Sequence, residues 1–205
     1  MGSLAIRSLQ RSDGIPVLET ARLVLRPYAE ADIPALIRLA GVREVAATTL
    51  RIPHPYTEQN AREYLAICQA ESNSGPVTRF AITLRHTGEF CGGAGLRLDT
   101  AHAHGEIGYW LGVPFWGQGY ATEAARAVID YGFGDLGLHR IYASHFAGND
   151  ASGRILRKVG MKYEGCMRGH IRKWDSFHDL ECYGMLETDR SSQLDVPGGT
   201  SCSLW

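Results

Sequence analysis

Residues 106–122, EIGYWLGVPFWGQGYAT, constrain this chain more than any other stretch. A run of aromatic and aliphatic residues stops at Pro114, which lacks a backbone donor and ends a strand. A turn holding Gly117 and Gly119 follows, and a helix begins near Thr122. Glycine lets a backbone turn tightly and approach a ligand with no Cβ in the way. The first N–H groups of a helix have no internal partner and sit at the positive end of its dipole. An anion such as a pyrophosphate docks there without needing a cationic side chain. Ala121 keeps that first turn small. Two other phosphate patterns fail. A dinucleotide fingerprint wants glycine where Thr122 stands and an acidic residue ending a later strand, and a P-loop needs Gly-Lys-Ser/Thr. A turn whose glycines serve only the turn is the remaining alternative.

The rest of the chain surrounds this unit with alternating strands and amphipathic helices. Residues 22–26 alternate, with Leu23 and Leu25 on one face. Asp32 is positioned to cap a helix with Ile33, Leu36, Ile37 and Ala40 as its stripe, stopping at Gly41. Pro53 and Pro55 exclude helix interior around His54, and Thr57 caps a second helix carrying Ala61, Tyr64, Leu65 and Cys68. Strands are expected at residues 79–85, 90–98, 106–113, 140–146, 161–171 and 180–186, with helices at 122–133 and after Asn149 or Asp150. Gly92, Gly93 and Gly95 suggest a bulge or a close backbone approach in their strand. This order predicts an α/β (α+β) domain with a mixed sheet. The predicted organisation is an N-terminal arm at 1–19, one domain at 20–188 and a C-terminal tail at 189–205.

A segment resemblance sharpens this. Residues 106–124 resemble the acetyl-CoA motif of the GNAT superfamily of N-acetyltransferases, and are most similar to the branch of ribosomal-protein N-terminal acetyltransferases (the RimJ/RimL type). The family pattern is Gln/Arg-x-x-Gly-x-Gly/Ala; Trp116 stands first, as is usual in that branch, and Gly119 and Ala121 fill the last two places. Residues 149–165, NDASGRILRKVGMKYEG, resemble the family's Asn-x-x-Ser helix and the glycine-rich turn after it. The likeness covers roughly residues 23–186. It implies a mostly antiparallel sheet of six to seven strands, flanking helices and a splayed central strand pair.

The resemblance also implies roles. Leu111, Gly112 and Val113 offer freed backbone groups to the pantetheine arm of acetyl-CoA, and the N–H near Leu111 or Gly112 polarises the thioester. Gly117, Gln118, Gly119, Tyr120, Ala121 and Thr122 take the pyrophosphate, while Asn149 and Ser152 lie near the sulfur. Glu106 is the expected general base, through a water, and Ser152 the expected donor to the leaving thiolate. Leu156 stands where many members carry a tyrosine acid, so the acid is left open. His54 and Tyr109 are expected on the acceptor side, as is a loop at residues 168–179.

The implied reaction is acetyl transfer from acetyl-CoA to a primary amine, either a protein N-terminus or a small amine. A non-catalytic acyl-CoA-binding module is the alternative. At pH 7 an α-amine costs about 1.4 kcal/mol to deprotonate and a lysine amine about 4.6, so α-amines are easier acceptors. The 21 basic and 22 acidic residues in 205, net charge −1, show no basic excess of the kind nucleic acid requires. No apolar run approaches a membrane span. The histidines show no metal-ligand spacing, so no metal is expected. Five scattered cysteines without a C-x-x-C pair fit reduced thiols in a cytoplasmic protein. Homodimerisation is left open.

Overall fold

The structure, a computed structural model, describes residues 14–74 and 77–194. Its elements run in the order β1 (Leu18–Glu19), β2 (Leu23–Arg26), α1 (Ile33–Ala40), α2 (Arg43–Thr48), α3 (Glu58–Ser74), β3 (Val77–Leu84), β4 (Phe90–Asp99) and β5 (His104–Leu111). There follow α4 (Tyr120–Gly134), β6 (Arg140–Phe146), α5 (Asp150–Lys158), β7 (Lys162–Lys173), β8 (Ser176–Leu186) and α6 (Glu187–Leu194). The eight strands form one sheet, β1-β2-β3-β4-β5-β6-β8-β7. Every neighbouring pair is antiparallel except β5 and β6.

That one parallel pair is short, and it shapes the molecule. Only His104, Gly105 and Glu106 pair, with Arg140, Ile141 and Tyr142. Beyond them β5 stays on β4 as far as Leu111, and β6 stays on β8 as far as Phe146. The two halves of the sheet therefore part after Glu106, leaving a V-shaped fork. The splayed pair is as expected.

The core lies on both faces of the unsplit part. Leu23, Leu25, Phe80, Ile82, Leu96 and Ile141 are fully buried. Each such side chain contributes about 1.5–3 kcal/mol of burial. α4 crosses the sheet closely, because Gly132 carries no side chain: a Cβ there would lie 2.7 Å from Ile141 Cδ1 and 3.0 Å from Leu96 Cδ1. The glycines of β4 mark close approach, as anticipated. A Cβ on Gly93 would collide with the Tyr28 hydroxyl, and one on Gly95 with the Thr78 carbonyl oxygen.

The structure departs from the sequence expectations in several places. Leu18–Glu19, assigned to the arm, pair with β2 and bring the strand number to eight. Arg43–Thr48 form an unanticipated helix, too short to show a full stripe. Residues 168–179 are not a loop. β7 and β8 continue through them as a long hairpin that turns only at Trp174 and Asp175, with Trp174 at φ 52°. β7 lies at the sheet edge with both faces largely exposed, so alternation fades and the strand reads as loop. The first residues of the predicted tail are helical in α6. The remainder of the arm and tail, residues 1–13 and 195–205, falls outside the described residues, and Cys202 with it. Asp32 does not cap its own helix. Its buried carboxylate reaches back, accepting from Arg26 at 2.7 and 2.8 Å and from the Ala29 N–H at 2.8 Å.

Candidate active site

The fork opens into a cleft of about 960 Å³, at the upper end of what small-ligand sites occupy. Glu106 lines it at the apex, as the last residue of β5 to pair with β6. Side chains alternate along a strand, so Glu106 and Tyr109, three residues apart, face opposite sides of the sheet. On the α1 and α3 side, Glu106 lies 3.7 Å from Arg97 and beside Tyr142. Burial, and then the Glu106 carboxylate, push the Tyr142 phenol above its ordinary range. The Glu106 side chain is 34% exposed, so its ion pair is worth at most about 1 kcal/mol and leaves the carboxylate available.

The other side of the fork belongs to α5. Tyr109 Oη donates to the Ser152 carbonyl oxygen at 3.4 Å. Burial pushes the Tyr109 phenol to about 12, outweighing its hydrogen bond with Ser152. His145, three residues beyond Tyr142 on β6, faces the same first turn of α5: a Cβ on Gly153 would lie 2.9 Å from His145 Nε2. Asn149 caps α5, accepting from the Ser152 N–H at 3.3 Å. The fork therefore joins two chambers, a carboxylate side and a hydroxyl side, through the gap in the sheet.

The ladder decides which backbone groups face the gap. In an antiparallel pair, groups turn alternately toward and away from the partner. The Gly112 N–H donates to the Cys91 carbonyl of β4 at 2.9 Å. By alternation the groups of Leu111 and Tyr109 turn toward β6, where no strand covers them. The Leu111 carbonyl is taken by the Trp116 indole N–H at 2.8 Å, and its N–H faces the gap.

Below this the chain enters the glycine turn. Gly117 and Gly119 have φ of 74° and 82°, a region that L side chains rarely adopt. Gly119 is the N-cap of α4, and the first bond back into the helix runs from the Glu123 N–H to the Gly119 carbonyl at 3.1 Å. The N–H groups of Tyr120, Ala121 and Thr122 are thus the helix's unpaired donors. A Cβ on Gly117 would meet nothing within 4 Å, and one on Gly119 only Arg22 Nη2 at 3.3 Å. Arg22 donates to the Gln118 carbonyl at 2.9 Å, is ion-paired to Glu123 at 2.7 Å, and lies 4.7 Å from the centre of the Tyr120 ring. Open space, three free donors and a half-exposed guanidinium together suit a pyrophosphate.

A profile of the acetyltransferase (GNAT) domain matches residues 22–162. The chain belongs to the GNAT acetyltransferase family. It is similar to the uncharacterized N-acetyltransferase p20 of Bacillus licheniformis, 32% identical over 174 residues, covering 84% of this chain and 97% of that protein. Among solved structures, a GNAT-family acetyltransferase from Bacillus anthracis superposes with a TM-score of 0.75 at 25% identity, covering 84% of this chain and 99% of that one. RimL, the ribosomal L7/L12 α-N-protein acetyltransferase, crystallised with coenzyme A, shares the fold with a TM-score of 0.76 at 20% identity, covering 83% of this chain and 98% of that one. As a GNAT domain the chain is an acetyl-CoA-dependent acetyltransferase.

Within this GNAT domain the expected site residues are distributed unevenly. Glu106, Tyr109 and Ser152 line the cleft. Tyr109 is on the α5 side rather than with Glu106. Gly112 is beside the fork, but its N–H is committed to Cys91, so only Leu111 can supply the donor anticipated from either residue. What Gly112 contributes is closeness: a Cβ there would lie 2.7 Å from Leu39 Cδ2. Val113 begins a short 3-10 turn and is exposed. Asn149 spends its side chain on its own helix. His54 does not line the cleft; it is exposed, with Nδ1 3.0 Å from the Gly41 carbonyl oxygen. Arg22 was missed, because a lone arginine opening a strand carries no signal that it meets a turn some ninety-five residues later. Among the described residues no cluster of histidine, cysteine and acidic side chains is arranged to hold a metal, and no helix is long and apolar enough to cross a membrane.

Proposed function

We propose that this GNAT domain moves the acetyl group of acetyl-CoA onto a primary amine by direct attack, with Glu106 as the base on one side of the sheet and Tyr109 with Ser152 serving the sulfur on the other. One observation carries the reading. The strands part immediately after Glu106, and across that same gap the Tyr109 hydroxyl meets the backbone carbonyl of Ser152 at the start of α5.

The N–H groups of Tyr120, Ala121 and Thr122, with Arg22 beside them, would hold the pyrophosphate, and the uncovered edge of β5 would take the pantetheine arm as an added strand. Through a water, Glu106 takes the ammonium proton and passes it to solvent, and by the same route it takes the second proton from nitrogen after the nitrogen has added. The Leu111 N–H polarises the acetyl carbonyl as the nitrogen adds to its carbon. When the carbon–sulfur bond breaks, the sulfur keeps the electron pair and Tyr109 donates a proton to it. A phenol near 12 is a weak acid for a thiolate in water, whose usual value is about 8.5. A dry site changes the balance. Exclusion of water raises a thiol's value as it raises a phenol's, so desolvation beside Tyr109 narrows the gap between them. Ser152 donates a hydrogen bond beside it, and solvent reprotonates Tyr109.

Incubation with acetyl-CoA and a panel of primary amines, following release of free thiol and the mass of the amine, tests the reaction. Amine-dependent thiol release, with the amine gaining the mass of one acetyl group less the hydrogen it replaces, is the expected result. Tight CoA binding without turnover on any amine would refute the reaction and favour a binding module.

A further inference from the structure

The acceptor half of the cleft has a composition of its own. Leu50 precedes the proline-rich segment, Ile67 lies on α3, and Met167 on β7; all three line the cleft, and they are 45%, 47% and 39% exposed. Large apolar side chains held at a concave surface mark a ligand wall more often than chance exposure. Tyr56 and Ile52 continue that wall between them. Burial pushes the Tyr56 phenol to about 12.

Its charges oppose a polycation. Four arginines and three glutamates line the cleft, so its field is not acidic. Two of those glutamates already face arginines, Glu106 with Arg97 and Glu164 with Arg140. The third, Glu63, accepts from Gln59 at 2.7 Å on the exposed face of α3. A polyamine would need several uncommitted carboxylates spaced along the cleft. An amine with a single charge needs only Glu106, which then removes its proton.

We infer that the acceptor is an apolar primary monoamine, with an aromatic or branched aliphatic group seated against Leu50, Ile67 and Met167 and its nitrogen toward Glu106. This rests on the proposed transfer reaction and names its substrate class. Phenethylamine and isopentylamine represent the class, and spermidine represents the polycations. Phenethylamine is expected to exceed spermidine at least about tenfold in kcat/KM, the discrimination one or two well-packed carbons supply. Leu50→Glu and Ile67→Glu change exposed side chains, so the fold should tolerate them. Each should raise KM for phenethylamine about tenfold, leave kcat and CoA affinity unchanged, and improve spermidine. Calorimetric binding of the same amines to the protein–CoA complex separates the two proposals. Binding of phenethylamine but not spermidine supports the inference even where turnover fails. Tighter binding of spermidine overturns it even where turnover succeeds, and so does an unchanged phenethylamine KM in both variants.

Discussion

Gly119→Ala separates the two duties of the glycine turn. At φ 82° an added Cβ costs about 1–2 kcal/mol, the price of left-handed backbone for an L residue. It meets no rigid neighbour, only the movable Arg22 guanidinium at 3.3 Å. In a chain of this length 1 kcal/mol moves Tm by about 2–4 °C, so the variant should melt about 2–8 °C below wild type. CoA at one hundred times its Kd should stabilise wild type by about 2.7 kcal/mol, or roughly 5–11 °C. If the pyrophosphate sits against this turn, Gly119→Ala should lose most of that ligand-induced shift. Gly137→Ala is the control. Its φ is 63°, no atom lies within 4 Å of its Cβ, and it sits in the loop between α4 and β6, at the other end of α4 from the turn. It carries similar strain and should keep the full CoA shift. Thermal melts of the three proteins with and without CoA decide the matter. A full CoA shift in Gly119→Ala would refute the reasoning.

Three further outcomes follow from the same contacts. Tyr109→Phe should lower kcat about 10–100-fold with little change in amine KM, measured by steady-state thiol release. Gly132→Ala should cost about 1–3 kcal/mol by overpacking against Ile141 and Leu96, read from the urea midpoint. Burial alone would raise the pKa of Glu123, but its hydrogen bonds from Thr20 and Arg22 outweigh burial and hold it below the usual range. A depressed folded value stabilises above the unfolded pKa of about 4.3 and loses that stabilisation as pH falls through the folded value. The stability gap between wild type and Glu123→Gln should therefore be full at pH 6 and narrow as pH falls below the unfolded value of about 4.3; a gap independent of pH would contradict it.

Much of this site was legible because glycine, proline and capping residues act locally. Gly117 and Gly119 announce a left-handed turn, Pro114 marks the short 3-10 turn that follows β5, and Asn149 caps α5, all within a few residues of sequence. The parity of β5 was also present: residues 106 and 109 differ by an odd number and must face opposite sides of a strand. Parity alone separates Tyr109 from Glu106; only the fold could bring it to Ser152. Gly112 and Leu111 could not be distinguished either, because that choice depends on which of them meets Cys91. His54, between two prolines, is recognisable as loop, but its turn toward Gly41 is a tertiary contact. The hairpin of β7 and β8 was obscured for another reason. Trp174 turns it in a left-handed conformation without the glycine or asparagine that usually signals such a turn.

The pairing of carboxylate and hydroxyl across the fork rests finally on Glu106. Single-turnover acetyl transfer by Glu106→Gln, at saturating CoA thioester and amine and across pH 6.5–9.5 (a range spanning the α-amine value of about 8), tests it most directly. The predicted result is a rate lower by about 10²–10⁴-fold near neutrality, a deficit that narrows as pH rises and the amine loses its own proton, and an unchanged CoA affinity. A rate equal to wild type at neutral pH would contradict the account.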